Sequence, residues 1–166
     1  MEAFKLTKTG HLELEQEINR LLESGDLAFS IFMVDVGDVE KIFVKSGYAA
    51  SRKVFSEIEK SLQKICRLQD RLCRVGDNTF CLLFPGVHQS GHTTLAAEKI
   101  RRTHAEAAGY FDPSLNSMLR MGIVSHVEKG EDAAGLIHKA SVALESARKT
   151  AQPYAFFSQT MATKMA

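Results

Sequence analysis

The ten residues Leu27 to Val36, LAFSIFMVDV, constrain the fold more than any other stretch. The run is apolar, rich in Phe, Ile and Val, and of strand rather than helix length. Its apolar residues do not alternate with polar ones, so both faces must be buried and helices must cover the sheet on two sides. Asp35 is the one charge in the run and falls near its C-terminal end, where α/β sheets commonly carry binding sites. Ser24-Gly25-Asp26 and Gly37-Asp38 supply the bounding turns.

The elements around it follow from periodicity. Met1 to Thr9 carries no pattern, and His11 to Leu22 sets Leu14, Ile18, Leu21 and Leu22 at helical spacing. After the strand, a short helix spans roughly Val39 to Lys45 and stops at Ser46-Gly47. A longer one covers about Ala50 to Cys66, with Val54, Ile58, Leu62 and Ile65 on one face. Arg71–Val75 and Thr79–Phe84 then flank Gly76-Asp77-Asn78, residue types that tolerate positive φ, so Arg67 to Pro85 reads as a β-hairpin with a polar tip. Val87 to Gly91 is a loop, and Thr93 to about Ala107 a helix with Leu95, Ala96 and Ile100 inward. Met118 to Val124 is a strand candidate running into a polar loop through Gly130. Asp132 to about Lys149 is a helix with Ala133, Ile137, Ala140, Leu144 and Ala147 on one face. Pro153 to Phe157 suits an edge strand, because proline cannot serve a central one. The fold class is therefore α/β (α+β): a mixed sheet of about five strands with a hairpin, flanked by helices.

Composition narrows the function. A chain of 166 residues forms one domain with a core of its own. A net charge of +1, from 21 basic and 20 acidic residues, argues against nucleic acid as the partner. Cys66, Cys73 and Cys81 make no C-x-x-C pair and no even set, which points to a reducing, cytoplasmic compartment. The apolar run is too short to span a bilayer, and no membrane contact is expected. No secretory signal opens the chain, as would also hold for a domain cut from a larger protein.

In order and spacing these elements resemble the GGDEF domain, the diguanylate cyclase fold that makes cyclic di-GMP. The resemblance spans nearly the whole chain. It is carried by Met33-Val34-Asp35-Val36-Gly37, by Arg74-Val75 ahead of Gly76-Asp77-Asn78-Thr79-Phe80 and by the strand Cys81 to Pro85. Gly122-Ile123-Val124 in a later strand, and Lys139-Ala140-Ser141 with Ala147-Arg148 in the last helix, complete it. It implies the palm-like fold of nucleotidyl cyclases in a single domain over residues 1–166. Residues 1–26 would be the N-terminal segment and helix, 27–157 the core, and 158–166 the start of a linker. Tyr154 to Met161 is similar to the junction where such domains run into an EAL phosphodiesterase domain, implying a piece of a longer protein.

The same resemblance implies a lost active site. Two metal ions activate the ribose hydroxyl and bind the triphosphate in such enzymes, so carboxylates must converge. Asp35 supplies one, but Gly37 stands where the second is expected, and Asn78 and Thr79 replace the two acidic residues of the signature. Neither of the last two can clamp a divalent metal or take a proton near neutral pH. Asp77 replaces the second signature glycine, and its charge would repel the triphosphate. Phe43 replaces a guanine-reading asparagine, Ser51-Arg52 a Gly-Asp pair, and Gln152 an arginine, which leaves Arg148 as the remaining phosphate-holding candidate. No metal and no cofactor is expected.

Arg67-Leu68-Gln69-Asp70 stands five residues before Gly76, the spacing of the R-x-x-D inhibitory site that binds cyclic di-GMP in the family. An arginine fork can donate to guanine O6 and N7, and a carboxylate can accept from the opposite edge. Lys99, or failing it Arg101 or Arg102, is the basic residue implied from the following helix. The plainer alternative is an i,i+3 ion pair that ends a helix. Asp35 reads as a relic capping the turn at Gly37-Asp38 rather than as a metal ligand, His88 and His92 as solvated loop residues, and Phe29, Phe32, Phe43, Phe55, Phe80 and Phe84 as core. Cys73 and Cys81 face each other across the hairpin as space-filling thiols. The resulting expectation is a catalytically inactive regulatory domain that receives cyclic di-GMP at Arg67 and Asp70. The alternative is a nucleotide-free dimerisation or docking module for an attached domain or a partner protein.

Overall fold

The computed structural model describes residues 10–25, 28–38, 40–108, 118–127, 130–158 and 161. Asp26, Leu27, Val39, Asn116, the 1–9 segment and most of the expected linker lie outside them.

Ten elements follow in order: α1 (His11–Ser24), β1 (Phe29–Asp35), α2 (Glu40–Ser46), α3 (Tyr48–Ile65), β2 (Arg71–Arg74), β3 (Thr79–Pro85), α4 (Ser90–Ala108), β4 (Arg120–His126), α5 (Ala133–Lys149) and β5 (Tyr154–Phe156). The strands form one sheet in the order β2-β3-β1-β4-β5. β1 lies at its centre, antiparallel to both β3 and β4. β5 joins β4 in parallel at the edge, where Pro153 needs no ladder partner for the N–H it lacks.

Burial on β1 alternates between two cores. Phe32 and Val34 pack with Val54, Ile58, Leu62 and Ile100 from α3 and α4. Phe29, Ile31 and Met33 pack with Leu14 and Ile18 of α1 and with Leu136, Ala140 and Leu144 of α5. This is the two-sided burial that an unbroken apolar run demands. Gly122 of β4 lets α5 approach the sheet, since a Cβ there would meet the backbone of Ala140 and Leu144.

Several local expectations are corrected. The hairpin forms with Cys73 opposite Cys81, but its turn uses no positive φ at Gly76, Asp77 or Asn78. The Val75 and Gly76 N–H groups both donate to the Thr79 carbonyl instead, at 3.0 and 3.3 Å. Helix α4 begins earlier than expected, so His92 lies in its first turn and only His88 stays in the loop. Its inward stripe is Thr93, Ala97, Ile100, His104 and Ala108, while Leu95 is 69% exposed. Small and polar residues build that face, so hydrophobicity alone sets its phase wrongly. Phe43 is also not core but 46% exposed. β4 sits two residues later than the Met118–Val124 run.

Candidate functional site

Asp35 ends β1 with Thr79 on one neighbouring strand and Arg120 on the other. Its carboxylate is fully engaged. Oδ1 accepts from the Gly37 N–H at 2.9 Å, and Oδ2 accepts from Arg148 Nη2 at 2.6 Å and Nε at 3.2 Å. Arg148 also donates to Glu145 at 3.3 Å. Burial opposes the arginine's charge, but the hydrogen bond and charge of Asp35, aided by Glu145, prevail and raise its pKa. The last helix thus turns its phosphate-holding candidate onto Asp35 and Glu145 together.

Of the other signature positions, Gly37, Asn78 and Thr79 carry no carboxylate, and Asp77 lies in the cleft lined by Phe43 and Arg52. Gly37 has φ 94°, and a Cβ there would lie 2.6 Å from Met118 Cβ. Asn78 meets the strand through its backbone, accepting from the Val36 N–H at 2.9 Å. Among the described residues, no three His, Cys, Asp or Glu side chains converge as metal ligands.

Phe43, Ser51, Arg52, Asp77 and Asn78 come together in a cleft of about 690 Å³, joined by Tyr48, Phe55 and Arg74. The Arg74 guanidinium lies over the Phe55 ring, 4.2 Å from its centroid, and Phe55 stacks on Phe80 at 5.1 Å. Arg52 covers Tyr48, whose ring meets Phe43 edge-on. The cleft thus combines aromatic faces capped by guanidinium groups with the polar side chains of Ser51, Asp77 and Asn78.

Arg67 and Asp70 pair with each other. Asp70 is 1% exposed and accepts from the Arg67 backbone N–H at 2.7 Å and from its guanidinium at 2.8 to 3.3 Å. Arg67 Nη2 also donates to the Pro85 carbonyl at 2.8 Å, tying the end of α3 to the end of β3. The arginine side chain stays 47% exposed. Lys99 is exposed on α4 and makes no hydrogen bond or ion pair with either residue. The three cysteines are free thiols.

The family model for "Diguanylate cyclase, GGDEF domain" matches residues 10–153. The chain belongs to the GGDEF family. Solved structures agree on the fold. The isolated GGDEF domain of TpbB (YfiN) from Pseudomonas aeruginosa is 19% identical, with a TM-score of 0.79 over 96% of this chain and 95% of that one. The GGDEF domain of DgcB from Caulobacter crescentus, in complex with c-di-GMP, is 14% identical, with a TM-score of 0.68 over 95% of each chain. The S helix-GGDEF-EAL portion of LapD from Vibrio cholerae, bound to c-di-GMP, is 17% identical, with a TM-score of 0.71 over 86% of this chain and 33% of that one. None of the curated protein sequences compared with the chain matches it.

Within this GGDEF domain, sequence reasoning missed Tyr48, Phe55 and Arg74 as cleft residues. An arginine at the end of a hairpin strand that follows a helix carrying an aromatic residue was the available signal, since guanidinium groups stack on rings. It also missed that Arg148 reaches Asp35. The two are 113 residues apart, and only the packing of α5 on β1 brings them together.

Proposed function

We propose that this GGDEF domain makes no cyclic di-GMP and acts as a regulatory domain in cyclic di-GMP signalling, in the cytoplasm and within a longer multidomain protein. The observation that carries the reading is the closed state of Asp35, held by Arg148 and the Gly37 N–H, with no set of three metal-ligating side chains converging among the described residues. A two-metal mechanism needs converging carboxylates with free oxygens. The domain is incubated with GTP and Mg²⁺ or Mn²⁺, and the nucleotides are separated by chromatography. No cyclic di-GMP above a protein-free blank is the expected result. Turnover that disappears in Asp35→Ala overturns it.

Two modes of regulation remain, and the geometry favours the docking module. Burial of Asp70 against Arg67 leaves no carboxylate oxygen turned outward for a guanine edge. In this mode the domain binds no nucleotide and regulates an attached EAL-type domain or a partner protein, alone or as a homodimer. The half-exposed Arg67 fork favours the second mode, reception of cyclic di-GMP, with Lys99 contributing a single contact. Calorimetry with cyclic di-GMP separates them. A receptor binds in the micromolar range and loses roughly ten- to a hundredfold in affinity with Arg67→Ala, as charge-assisted hydrogen bonds require. No heat at high micromolar ligand leaves the docking module.

A further inference from the structure

Three of the large apolar side chains that the domain exposes lie within six residues, at the corner where α2 passes into α3. Phe43 is 46% exposed, Tyr48 62% and Val44 81%. Of the α2 side chains from Lys41 to Ser46 only Ile42 is buried, so the helix is anchored at one point and turns the rest outward. The Phe43 and Tyr48 rings meet edge-on with centroids 5.9 Å apart and form one aromatic surface. Apolar side chains exposed singly need no explanation, but a contiguous group marks an interaction surface.

That surface continues into the cleft of about 690 Å³, which Phe43 and Tyr48 line together with Phe55 and Arg74. The Arg52 guanidinium lies 5.7 Å from the Tyr48 ring centroid and holds that ring at the cleft's edge. Tyrosine and arginine are the residue types on which protein partners most often gain their binding energy. Every charged side chain from residue 41 to residue 53 is basic and exposed, namely Lys41, Lys45, Arg52 and Lys53. Asp38 and Glu40 precede this run and Glu57 follows it. Lys41 and Lys45 flank Phe43 and Val44 on α2, and neither lines the cleft. Inside the cleft Glu59 and Asp77 stand with Arg52 and Arg74, so an acidic group is drawn to the corner rather than to the cleft's interior.

We propose that this corner is the docking site for an acidic segment of a partner protein that carries one bulky apolar side chain. That side chain enters the cleft against Phe43, Tyr48 and Phe55, and the carboxylates beside it meet Lys45 and Arg52. The proposal rests on the docking-module reading and names the chemistry of its partner. Exposed cations alone would accept any acid and an aromatic cleft alone any apolar group, so specificity comes from requiring both in one segment.

The chain contains no tryptophan, so the fluorescence of a tryptophan-bearing peptide reports its own binding. The probe is a short blocked peptide with one tryptophan between two pairs of glutamates, titrated with the domain. It is expected to bind with a dissociation constant of roughly 100 μM, as suits a small transient interface. The same peptide with alanine for tryptophan, or with lysines for the glutamates, should not displace it. Tyr48→Ala and Lys45→Glu should each weaken binding about five- to tenfold, the second only at low salt. Leu12→Ala, on α1 across the sheet, should change nothing. Tyr48 and Lys45 are both exposed, so their variants keep the fold and stay informative. Displacement by the tryptophan-free peptide, or equal losses in all three variants, means general charge attraction and overturns the proposal. Absence of probe binding overturns it too, as does sedimentation of the domain with phosphatidylserine vesicles in place of peptide binding. Calorimetric binding of cyclic di-GMP would remove the docking-module reading itself, whereas a silent probe without such heat removes this site alone.

Discussion

The guanidinium of Arg148 lies 2.6 Å from the carboxylate of Asp35, 113 residues away in the chain, and closes the C-terminal end of the central strand. The arginine is 43% exposed and the aspartate 19%, so solvent screens the pair and its worth is that of a surface ion pair with one sheltered partner. Arg148→Ala is expected to cost about 1 kcal/mol, which moves the melting midpoint of a domain this size by roughly 2–4 °C. It should not produce cyclase activity, because freeing one carboxylate does not make two. Thermal melts and the GTP assay check both halves.

Restoring the second carboxylate at Gly37 meets a structural obstacle. The backbone there has φ 94°, and a Cβ would press on Met118. A left-handed residue with a side chain costs about 1–2 kcal/mol before any clash is counted. Gly37→Asp is expected to destabilise the domain by at least about 2 kcal/mol in urea titrations and to leave it inactive. A stable Gly37→Asp protein would show that the turn relaxes and that the loss at this position is reversible.

Arg67 and Asp70 support the fold whatever they bind. Asp70 is buried and takes both the backbone N–H and the guanidinium of Arg67. Asp70→Ala strands those donors, and Arg67→Ala strands a buried carboxylate. Each is expected to cost about 2–3 kcal/mol, discounted from a fully buried pair because the arginine is half exposed. The double variant should lose clearly less than the sum. Additive losses in a double-mutant cycle would mean that the pair is not coupled.

Much of this was legible in the sequence because the signals were strong and local. The apolar run Leu27 to Val36 pointed to a central strand between two helical layers, found at Phe29–Asp35, and the hairpin followed from two strand runs around three turn-forming residues. Helix α4 was harder to place. Its inward face is Thr93, Ala97, His104 and Ala108 around one isoleucine, so hydrophobicity favoured Leu95 on the wrong side. The candidate site divides the same way. Gly37, Asn78 and Thr79 can be read in the sequence as standing where the family resemblance expects acids, but the contacts made around them are tertiary. Arg148 on Asp35, Arg74 on Phe55 and the burial of Asp70 depend on how α5, β2 and α3 pack, and spacing carries no trace of that.

Gly122 is where α5 comes closest to the sheet. A Cβ at this position would lie 2.2 Å from both the Ala140 carbonyl oxygen and the Leu144 nitrogen. Both are backbone atoms of one helix, so no side chain can swing away to make room. Gly122→Ala is expected to cost about 3 kcal/mol or more, at the upper end of overpacking effects. Soluble expression and urea unfolding check it.

The C-terminus of α5 offers a change in the other direction. Ala151 has φ 54°, with its N–H donating to the Arg148 carbonyl and the Gln152 N–H to that of Ala147. That is the helix-ending arrangement in which glycine is usual. Ala151→Gly should therefore stabilise the domain by about 1 kcal/mol, less a small entropic loss. A lower melting midpoint would contradict it.

The buried thiols give the domain an alkaline limit. Burial, with Glu17 and Glu13 adding to it, pushes Cys73 up from 9.0 to about 12. Burial, followed by Cys73 itself, carries Cys81 well above 9.0. Both stay protonated in the fold, whereas in the unfolded chain they ionise above 9.0. The unfolded state then holds fewer protons, so stability falls as pH rises. The contribution is complete below pH 9 and drains away through the window from 9 to about 12. Each thiol adds at most about 1.4 kcal/mol per pH unit to that slope. Lysines and tyrosines titrate in the same range, so the difference between parent and variant is the quantity to read. Urea unfolding at pH 8, 9.5 and 10.5 should show Cys73→Ala losing stability to its cavity at pH 8 but losing less than the parent thereafter. Parallel slopes would mean that Cys73 ionises in the fold as readily as in the unfolded chain, and that its burial is incomplete in solution.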